Sequence, residues 1–491
     1  MAIIDTEVVI IGGGISGLKA AQDLNSHNVK FELLEARDRF GGRLKTVDLQ
    51  TSKQKVDIGA SWFHDTLSNP LFDEIVKDGT YDLYYDDCKP TVIVSDDNVS
   101  LKNRDKIEQV TDEMIKYIEL RYFENLDLKD ESLQTTAIEY LYAKRKYLTE
   151  KQICYSPQLL RHLELWHGVS WDSMSSKYAL VDNVGRNCFI KDGYKTVIDK
   201  IVQQLPINCL HKTSVVVKIK KNSQNNKITI YTEDNDEYIC NYCIVTVPQS
   251  ILQLPSSSGE KGAIEWEPKL PKNIVTALEK MNFGSLGKFI FEFDKLFWDE
   301  NESDRIISLA DPDHEIYEML QKNIKPDLNS FKQTIPDFSN CWKYPVLIVN
   351  LYSIYQIPCL LVFTQGKLTQ FLEANPTKSW EYMKPIISKI FKEKVGNGEK
   401  QNTPDPVNII SSSWTIDPFS RGSYAACYPG DDPMDLAIQL SKGFGSIRFA
   451  GEHTILNGAG AVHGAWLSGK REARYVLVEK GLMERSLDDE F

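Results

Sequence analysis

The sequence predicts an α/β protein of two domains, on three observations. The chain has 491 residues, more than one simple hydrophobic core organises. Its first stretch reads as strand, glycine turn, helix and strand. Its later stretches alternate short strand-like runs with segments of helical spacing.

"VVIIGGGISGLKAAQDL" (8–24) is a buried-strand pattern, a glycine turn and an amphipathic helix, and "KFELLEARD" (30–38) is a second strand ending in acid and arginine. Together they open a βαβ unit. Gly12, Gly14 and Gly17 form G-x-G-x-x-G directly after the strand and before the helix. The first glycine permits the tight turn, the second lets a pyrophosphate approach the backbone, and the third lets helix and strand pack closely. The helix N-terminus offers free N–H groups and positive potential to phosphates. Glu35 ends the second strand, where a carboxylate accepts from ribose hydroxyls. A glycine-rich turn alone is a weak signal; strand, helix and acid in register make a dinucleotide site.

"EARDRFGGRLKT" (35–46) adds a second glycine pair, with Arg37 and Arg43 placed to neutralise a pyrophosphate. "DIGASWFHD" (57–65) puts small residues where a flat ring could lie against the backbone. Residues 103–125 and 131–166 have helical spacing, and 206–252 reads as short strands around the polar turn "EDNDE". "PSSSGEKG" (255–262) is a loop. In "GSLGKFIFEF" (284–293), Phe289, Phe291 and Phe293 alternate with Ile290 and Glu292, the pattern of a half-buried strand, and Lys288 stands at its mouth. The most apolar window, 344–363, is broken by Pro345, Asn350, Ser353, Gln356 and Pro358, so it reads as two or three strands rather than a membrane span. "QNTPDP" (401–406) reads as a crossover between domains. Near the end, the strand "IRFAG" delivers Gly451 and Glu452. A glycine-rich turn and a long helix from about Gly460 to Lys480 follow, and the helix start near Ala461 and Val462 can set a positive dipole beside a ring carbonyl. If this unit and the first one touch the same cofactor, the domains are discontinuous.

Composition narrows the classes. The formal net charge is −12 and no basic run stands out, which argues against a nucleic-acid partner. Nine scattered cysteines argue for a reducing compartment and against a disulfide framework. Cys240 and Cys243 form a C-x-x-C without a second pair, better read as strand residues than as a zinc or redox site, and no metal is expected. "MAIIDTEVVI" lacks a basic n-region and cleavage site, and "RSLDDEF" carries no hydrophobic tail or peroxisomal tripeptide. The expectation is a cytoplasmic protein, monomer or homodimer, with no membrane partner.

"GGGISG…LEARDRFGGR", "DIGASWFHD", "GKFIFEF", "SSWTIDPFSRGSYAACYPG" and "FAGEHT…GAGAVHGAWLSGKREA" resemble the flavin-containing amine oxidases, nearest in pattern to the fungal FAD-dependent polyamine oxidases. The resemblance spans nearly the whole chain and extends to a steroid-binding yeast member of that family. It implies a discontinuous Rossmann-type FAD-binding domain (1–75, 205–270 and 405–491) and a substrate domain with a mixed sheet and flanking helices (76–204 and 271–404). It also implies oxidation of spermine, acetylated polyamines or related amines with O2 to an aldehyde, a shorter amine and H2O2. Cofactor contacts would come from Gly12, Gly14, Ser16, Gly17, Glu35, Arg37, Gly42, Arg43, Gly59, Ala60, Ser61, Val216, Trp414, Gly451, Glu452, Ala461 and Val462.

The resemblance assigns roles one residue at a time. Lys288 would hold a water touching flavin N5, a role consistent with a lysine in a low-dielectric site that needs a partner. Trp414 would lie against the ring and Tyr424 beside the amine path; otherwise both are core aromatics. Ala461 stands where a second cage aromatic is expected, leaving half a cage. Ser423 replaces the cysteine that bonds flavin covalently in monoamine oxidases, so the FAD would be non-covalent. His64 matches a histidine near the amine, Trp171 a tunnel wall, and Asn187 a polar contact to the amine chain. Asp86 and Asp87 could pair with a distal ammonium, although such a pair is by default a solvated loop. Asn183 and His463 depart from the histidine and tyrosine of the fungal pattern, which puts substrate choice in doubt. They also keep open a steroid ligand in an apolar tunnel. An amino-acid oxidase would need an arginine clamp; Arg186 and Arg421 are available, in no such pattern.

Overall fold

The computed structural model describes residues 2–85, 89–96, 98–99, 101–102, 105–180, 183–327, 336–391 and 403–486. At its centre is a five-stranded parallel sheet in the order Leu210–His211, Phe31–Leu34, Val8–Ile11, Tyr242–Val245, Ile447–Phe449. Val8–Ile11 is buried at every residue, and its alternation decides what covers each face. Val8 and Ile10 pack with Leu18, Leu24, Trp466 and Val476, from the helices Ile15–Ser26 and Val462–Glu479. Val9 and Ile11 pack instead with Ile219, Ile230 and Tyr238 of a second five-stranded sheet.

The two helices bring the ends of the chain together. A Cβ on Gly469 would sit 2.1 Å from the Ser16 carbonyl, so only glycine allows this approach. Ser16 Oγ and Ser468 Oγ lie 3.2 Å apart across the same contact.

The other large sheet has six strands in the order Asn408–Ser411, Leu286–Glu292, Cys359–Gln365, Val346–Asn350, Arg305–Ser308, Thr91–Ile93. All neighbours are antiparallel except the last pair. Leu286–Glu292 is covered on both faces, not half-buried as its alternation suggests. Phe289, Phe291 and Phe293 face Trp380, Met383 and Ile386, whereas Ile290 clusters with Trp62, Leu361 and Trp414. Lys288, of the same parity as Ile290, points toward the 57–61 segment. A third layer consists of the helices Ile107–Glu124, Leu133–Lys144 and Glu150–Leu160. The helical stretch expected over 131–166 is interrupted before Thr149, whose side chain and that of Gln152 form a reciprocal capping box.

Two stretches pack across the expected domain edges. Before the expected edge at 205, Tyr194–Gln203 packs against the parallel-sheet core, where Tyr194, Val197, Ile198 and Ile201 cluster with Leu18 and Leu24. After the expected edge at 405, Asn408–Ser411 still pairs with the strand that carries Lys288, in the six-stranded sheet. The apolar window 344–363 forms two strands joined by a short helix, Leu351–Tyr355. Among the described residues no helix is long and apolar enough to cross a membrane.

Candidate active site

A cavity of about 820 Å³ runs from the glycine turn to the face of the six-stranded sheet. Its first end is made of backbone. Gly12 has φ +107°, and a Cβ there would meet Thr246 Oγ1 at 2.4 Å. Gly17 approaches so closely that a Cβ would lie 2.0 Å from the Gly12 carbonyl. Around Gly14 nothing lies within 4 Å of the Cβ position, and the residue lines the cavity. The three glycines thus divide into a tight turn at Gly12, an open edge of the cavity at Gly14 and close packing at Gly17. Gly42, with φ +58°, stacks a second turn against Gly14.

The charges at this end hold the turns together. Glu35 accepts from Gly13 N at 2.7 Å and Arg37 N at 2.8 Å, and burial pushes its carboxyl above the ordinary range. A carboxylate has lone pairs beyond these two, so a ribose hydroxyl remains a compatible partner. Arg37 does not stand free for a pyrophosphate: its guanidinium donates to Asp417 Oδ2 at 2.9 Å and Ser420 Oγ at 2.8 Å. Arg43 donates to Glu452 Oε1 at 2.9 Å and to the Ser423 carbonyl at 2.7 Å. Glu452 also accepts from Gly460 N at 3.1 Å. Both arginines therefore tie the first segment to the last one. Ser16, Ala60, Val216, Gly451, Ala461 and Val462 complete this wall. The open approach at Gly14 and the size of the cavity fit a dinucleotide.

Lys288 occupies the middle. It is 5% exposed. Its ammonium donates to Ser61 Oγ at 2.5 Å, to the Gly59 carbonyl, and to the Asp57 carbonyl at 3.4 Å. Trp62 and Phe363 lie 5.2 and 5.1 Å from Nζ, measured to their ring centres. Burial drives the Lys288 pKa down, and the nearby Asp57 carboxylate opposes part of that. Burial drives Asp57 up in turn; its carboxylate accepts from Thr46 Oγ1 at 2.5 Å and Tyr194 N at 3.0 Å. The lysine's donors are already met by protein atoms, an arrangement the sequence did not reveal. The 3.4 Å contact is the weakest of the three.

Trp414 and Tyr424 both line the cavity. Trp414 donates its indole N–H to the Ile58 carbonyl at 3.2 Å, which seats it beside the 57–61 segment. Tyr424 donates its hydroxyl to the Trp166 carbonyl, and its ring lies against Gly460. Burial raises the Tyr424 pKa, so the phenol stays neutral. The Ser423 hydroxyl accepts from Leu286 N and donates to the Gly284 carbonyl, both at 2.9 Å.

The far end is built from side chains on unrelated elements. His64 Nδ1 lies 2.9 Å from Asn187 Oδ1. With that oxygen as acceptor, the ring carries its proton on Nδ1, and Nε2 is the ring's acceptor nitrogen. Asn183 and Asn187 both line the cavity. His463 does not; it is 1% exposed behind the wall, with Nε2 at 3.6 Å from Asp65 Oδ2. Trp171 is also absent from the wall, because Arg161 covers its ring at 5.2 Å within the helical layer, and Trp166 lines the cavity in its place. Asp86 and Asp87 lie outside the described residues. Neither Arg186 nor Arg421 lines the cavity; Arg421 pairs with Glu260 at 2.5 Å, and Arg186 covers the Tyr85 ring at 4.0 Å.

Sequence reasoning missed Asp57, Asp65 and Arg305. Asp57 and Asp65 stand inside "DIGASWFHD", the segment already singled out, and could have been found there. Arg305 lines the cavity with its guanidinium 5.7 Å from the Trp62 ring centre. No motif marks it, because it arrives on a strand of ordinary sequence.

Comparison with known proteins agrees with this geometry. Residues 15–477 match the family model described as flavin containing amine oxidoreductase. A corticosteroid-binding protein of Candida albicans is 37% identical, over 96% of this chain and 96% of its own. A probable polyamine oxidase of Arabidopsis thaliana is 24% identical, over 98% of this chain and 90% of its own. Among solved structures, an engineered putrescine oxidase superposes with a TM-score of 0.67 at 16% identity, covering 97% of this chain and all of that one.

Proposed function

Because the chain belongs to the flavin containing amine oxidoreductase family, we propose that it is an FAD-dependent polyamine oxidase, holding its cofactor non-covalently. The overall conversion is R–CH2–NH–R′ + O2 + H2O to R–CHO, R′–NH2 and H2O2. The observation that carries the proposal is the position of Lys288. A buried lysine on an inner strand of the six-stranded sheet meets the 57–61 segment inside one continuous cavity.

The residues at hand have defined tasks. Gly12, Gly14 and the start of Ile15–Ser26 would hold the pyrophosphate, and Glu35 the ribose. The segment Gly59–Ser61, with Trp414, Gly451 and Val462, would hold the ring. Ser423 has no thiol to form a covalent link, which supports an extractable cofactor. A bound flavin supplies the two-electron acceptor for hydride lost from the carbon next to nitrogen. Loss of hydride requires the neutral amine, and His64, oriented by Asn187, presents an acceptor nitrogen to the substrate N–H. Trp414 and Tyr424 confine the reacting carbon between two aromatic surfaces. Lys288 can exchange its long contact to the Asp57 carbonyl for a water and so hold that water at the ring edge. Its lowered pKa lets the amine accept a proton from that water and return it.

The test is anaerobic stopped-flow reduction of the FAD-loaded protein by spermine, spermidine and an N-acetylated polyamine, followed by peroxide release in air. Bleaching of the flavin by at least one of them is expected; unchanged absorbance with all of them ends the proposal. A second reading, a flavoprotein that binds a steroid with little amine turnover, draws on the apolar wall formed by Leu165, Leu180, Leu347, Val349 and Phe363 and on the name of the Candida relative. Saturable steroid binding that no polyamine displaces would favour it.

A further inference from the structure

We propose that Asp65 is the specificity residue of this cavity, binding the ammonium of the substrate that is remote from the reacting carbon. The inference rests on the amine-oxidase reading of the same site. Among the described residues, the carboxylates that line the cavity are Glu35, Asp65 and Glu452. Glu35 is held by two backbone N–H groups, and Glu452 by Arg43 and Gly460 N. Both stand at the nucleotide end. Asp65 alone of the three stands at the other end.

Its geometry suits the task. Asp65 has φ +55°, a conformation uncommon for a residue with a Cβ, and strain of this kind collects where a side chain must be aimed. One carboxylate oxygen, Oδ1, accepts from Val184 N at 2.7 Å, which fixes the group in place. The other, Oδ2, faces His463 Nε2 at 3.6 Å, too far for a hydrogen bond. That histidine is 1% exposed, and its Nε2 has no hydrogen-bond partner. Burial lowers its pKa, which keeps it neutral and leaves the carboxylate charge uncompensated. An ammonium at Oδ2 supplies the missing counter-charge. His463 acts through Asp65 and is a positioning residue.

The surroundings define the rest of the ligand. Trp166, Val184 and Leu456 line the cavity, yet are 39%, 49% and 49% exposed, so they form an apolar rim at its opening. An ammonium buried without a partner is strongly disfavoured. One carboxylate behind an apolar rim therefore selects an amine with a single cationic site at that distance and an uncharged, apolar end beyond it.

The test compares wild-type and Asp65→Asn holoenzymes by calorimetric titration with octanediamine and with octylamine. Asparagine keeps an oxygen for Val184 N and tolerates positive φ, so the fold and FAD content should be unchanged. The expected result is at least tenfold weaker binding of octanediamine by the variant, with octylamine affected less than twofold. Equal losses for both ligands, or no loss for either, overturn the proposal. Binding does not require turnover. A protein whose flavin no amine reduces, but which shows the selective loss, keeps Asp65 in its role and removes only the oxidase reading.

Discussion

The two ends of the cavity are made of different materials. At the nucleotide end the wall is backbone: two glycine turns, a strand edge and a helix start, with every nearby charge tied to another part of the wall. At the substrate end the wall is side chains from separate elements, and one of its polar atoms, Asp65 Oδ2, stands beyond hydrogen-bond distance of His463 Nε2. A backbone wall has one acceptable sequence at its tight points. A side-chain wall can change residue by residue without touching the fold. Cofactor choice is therefore rigid here and substrate choice adjustable.

Breaking the rigid end should produce the largest effect. Gly17→Ala places a Cβ 2.0 Å from the Gly12 carbonyl, and neither backbone can move without opening the strand–helix contact. A loss of about 3 kcal/mol is expected, the upper range for overpacking a tight core. It should appear as a lower melting temperature and poor FAD retention after gel filtration. Retention of cofactor with an unchanged melting temperature would mean that the turn is softer than the geometry says.

Lys288→Met probes the junction between the ends. Flavin content should hold, because the side chain touches the 57–61 segment rather than the phosphate turn. One of the two half-reactions should slow by about a hundredfold, the lower range for a proton-transfer group. Stability gives a second readout. The folded-state pKa of Lys288 lies below the ordinary lysine value of 10.5, so the folded protein binds fewer protons than the unfolded chain between those values. Stability from this group therefore rises with pH across that window and is lost as pH falls through the depressed value. Asp57, raised by burial, has the opposite slope at lower pH: its contribution falls as pH rises from the ordinary carboxylate value of 3.8 to the raised one. Melting curves of Lys288→Met should lose the alkaline rise. A variant that keeps it would show that another group titrates.

Asn187→Leu sharpens the comparison at the adjustable end. Losing Oδ1 removes the group that sets the His64 tautomer. A fall of about tenfold in kcat/KM is expected, the worth of one buried hydrogen bond of about 1–1.5 kcal/mol. FAD content and melting temperature should stay close to wild type, in contrast to Gly17→Ala.

The same division explains what the sequence disclosed. The glycine turn was legible residue by residue, because φ angles and close contacts restrict the amino acid at each position. The βαβ opening followed from it; the approach of the chain ends through Ser16 and Gly469 did not, because it depends on how two distant helices pack. The strand carrying Lys288 was legible as a strand but not as a central one. Its two-sided burial depends on Trp380 and Trp414, which lie about a hundred residues further along the chain. Trp171 was misplaced for the same reason: a tryptophan in a helical segment faces the cavity or the core according to tertiary packing, and Arg161 turned it to the core. Arg305 escaped notice because nothing local distinguishes a lining residue on a common strand from a surface one, whereas Asp65 lay inside a motif already singled out.

The smallest effect should come from Tyr424→Phe, which removes only the hydroxyl donated to the Trp166 carbonyl. The ring keeps its place, since Gly460 leaves room for it and a Cβ there would stand 3.5 Å from Cδ2. The confinement of the reacting carbon should survive, so kcat should be unchanged. The lost contact loosens Trp166 at the rim, and KM should rise about threefold, equivalent to less than 1 kcal/mol. Burial raises the Tyr424 pKa, so the phenol does not titrate in the working range, and the basic limb of the kcat/KM profile should be the same in wild type and variant. If that limb vanishes in Tyr424→Phe, Tyr424 is a proton-transfer group, and the adjustable end takes part in the chemistry as well as in selection.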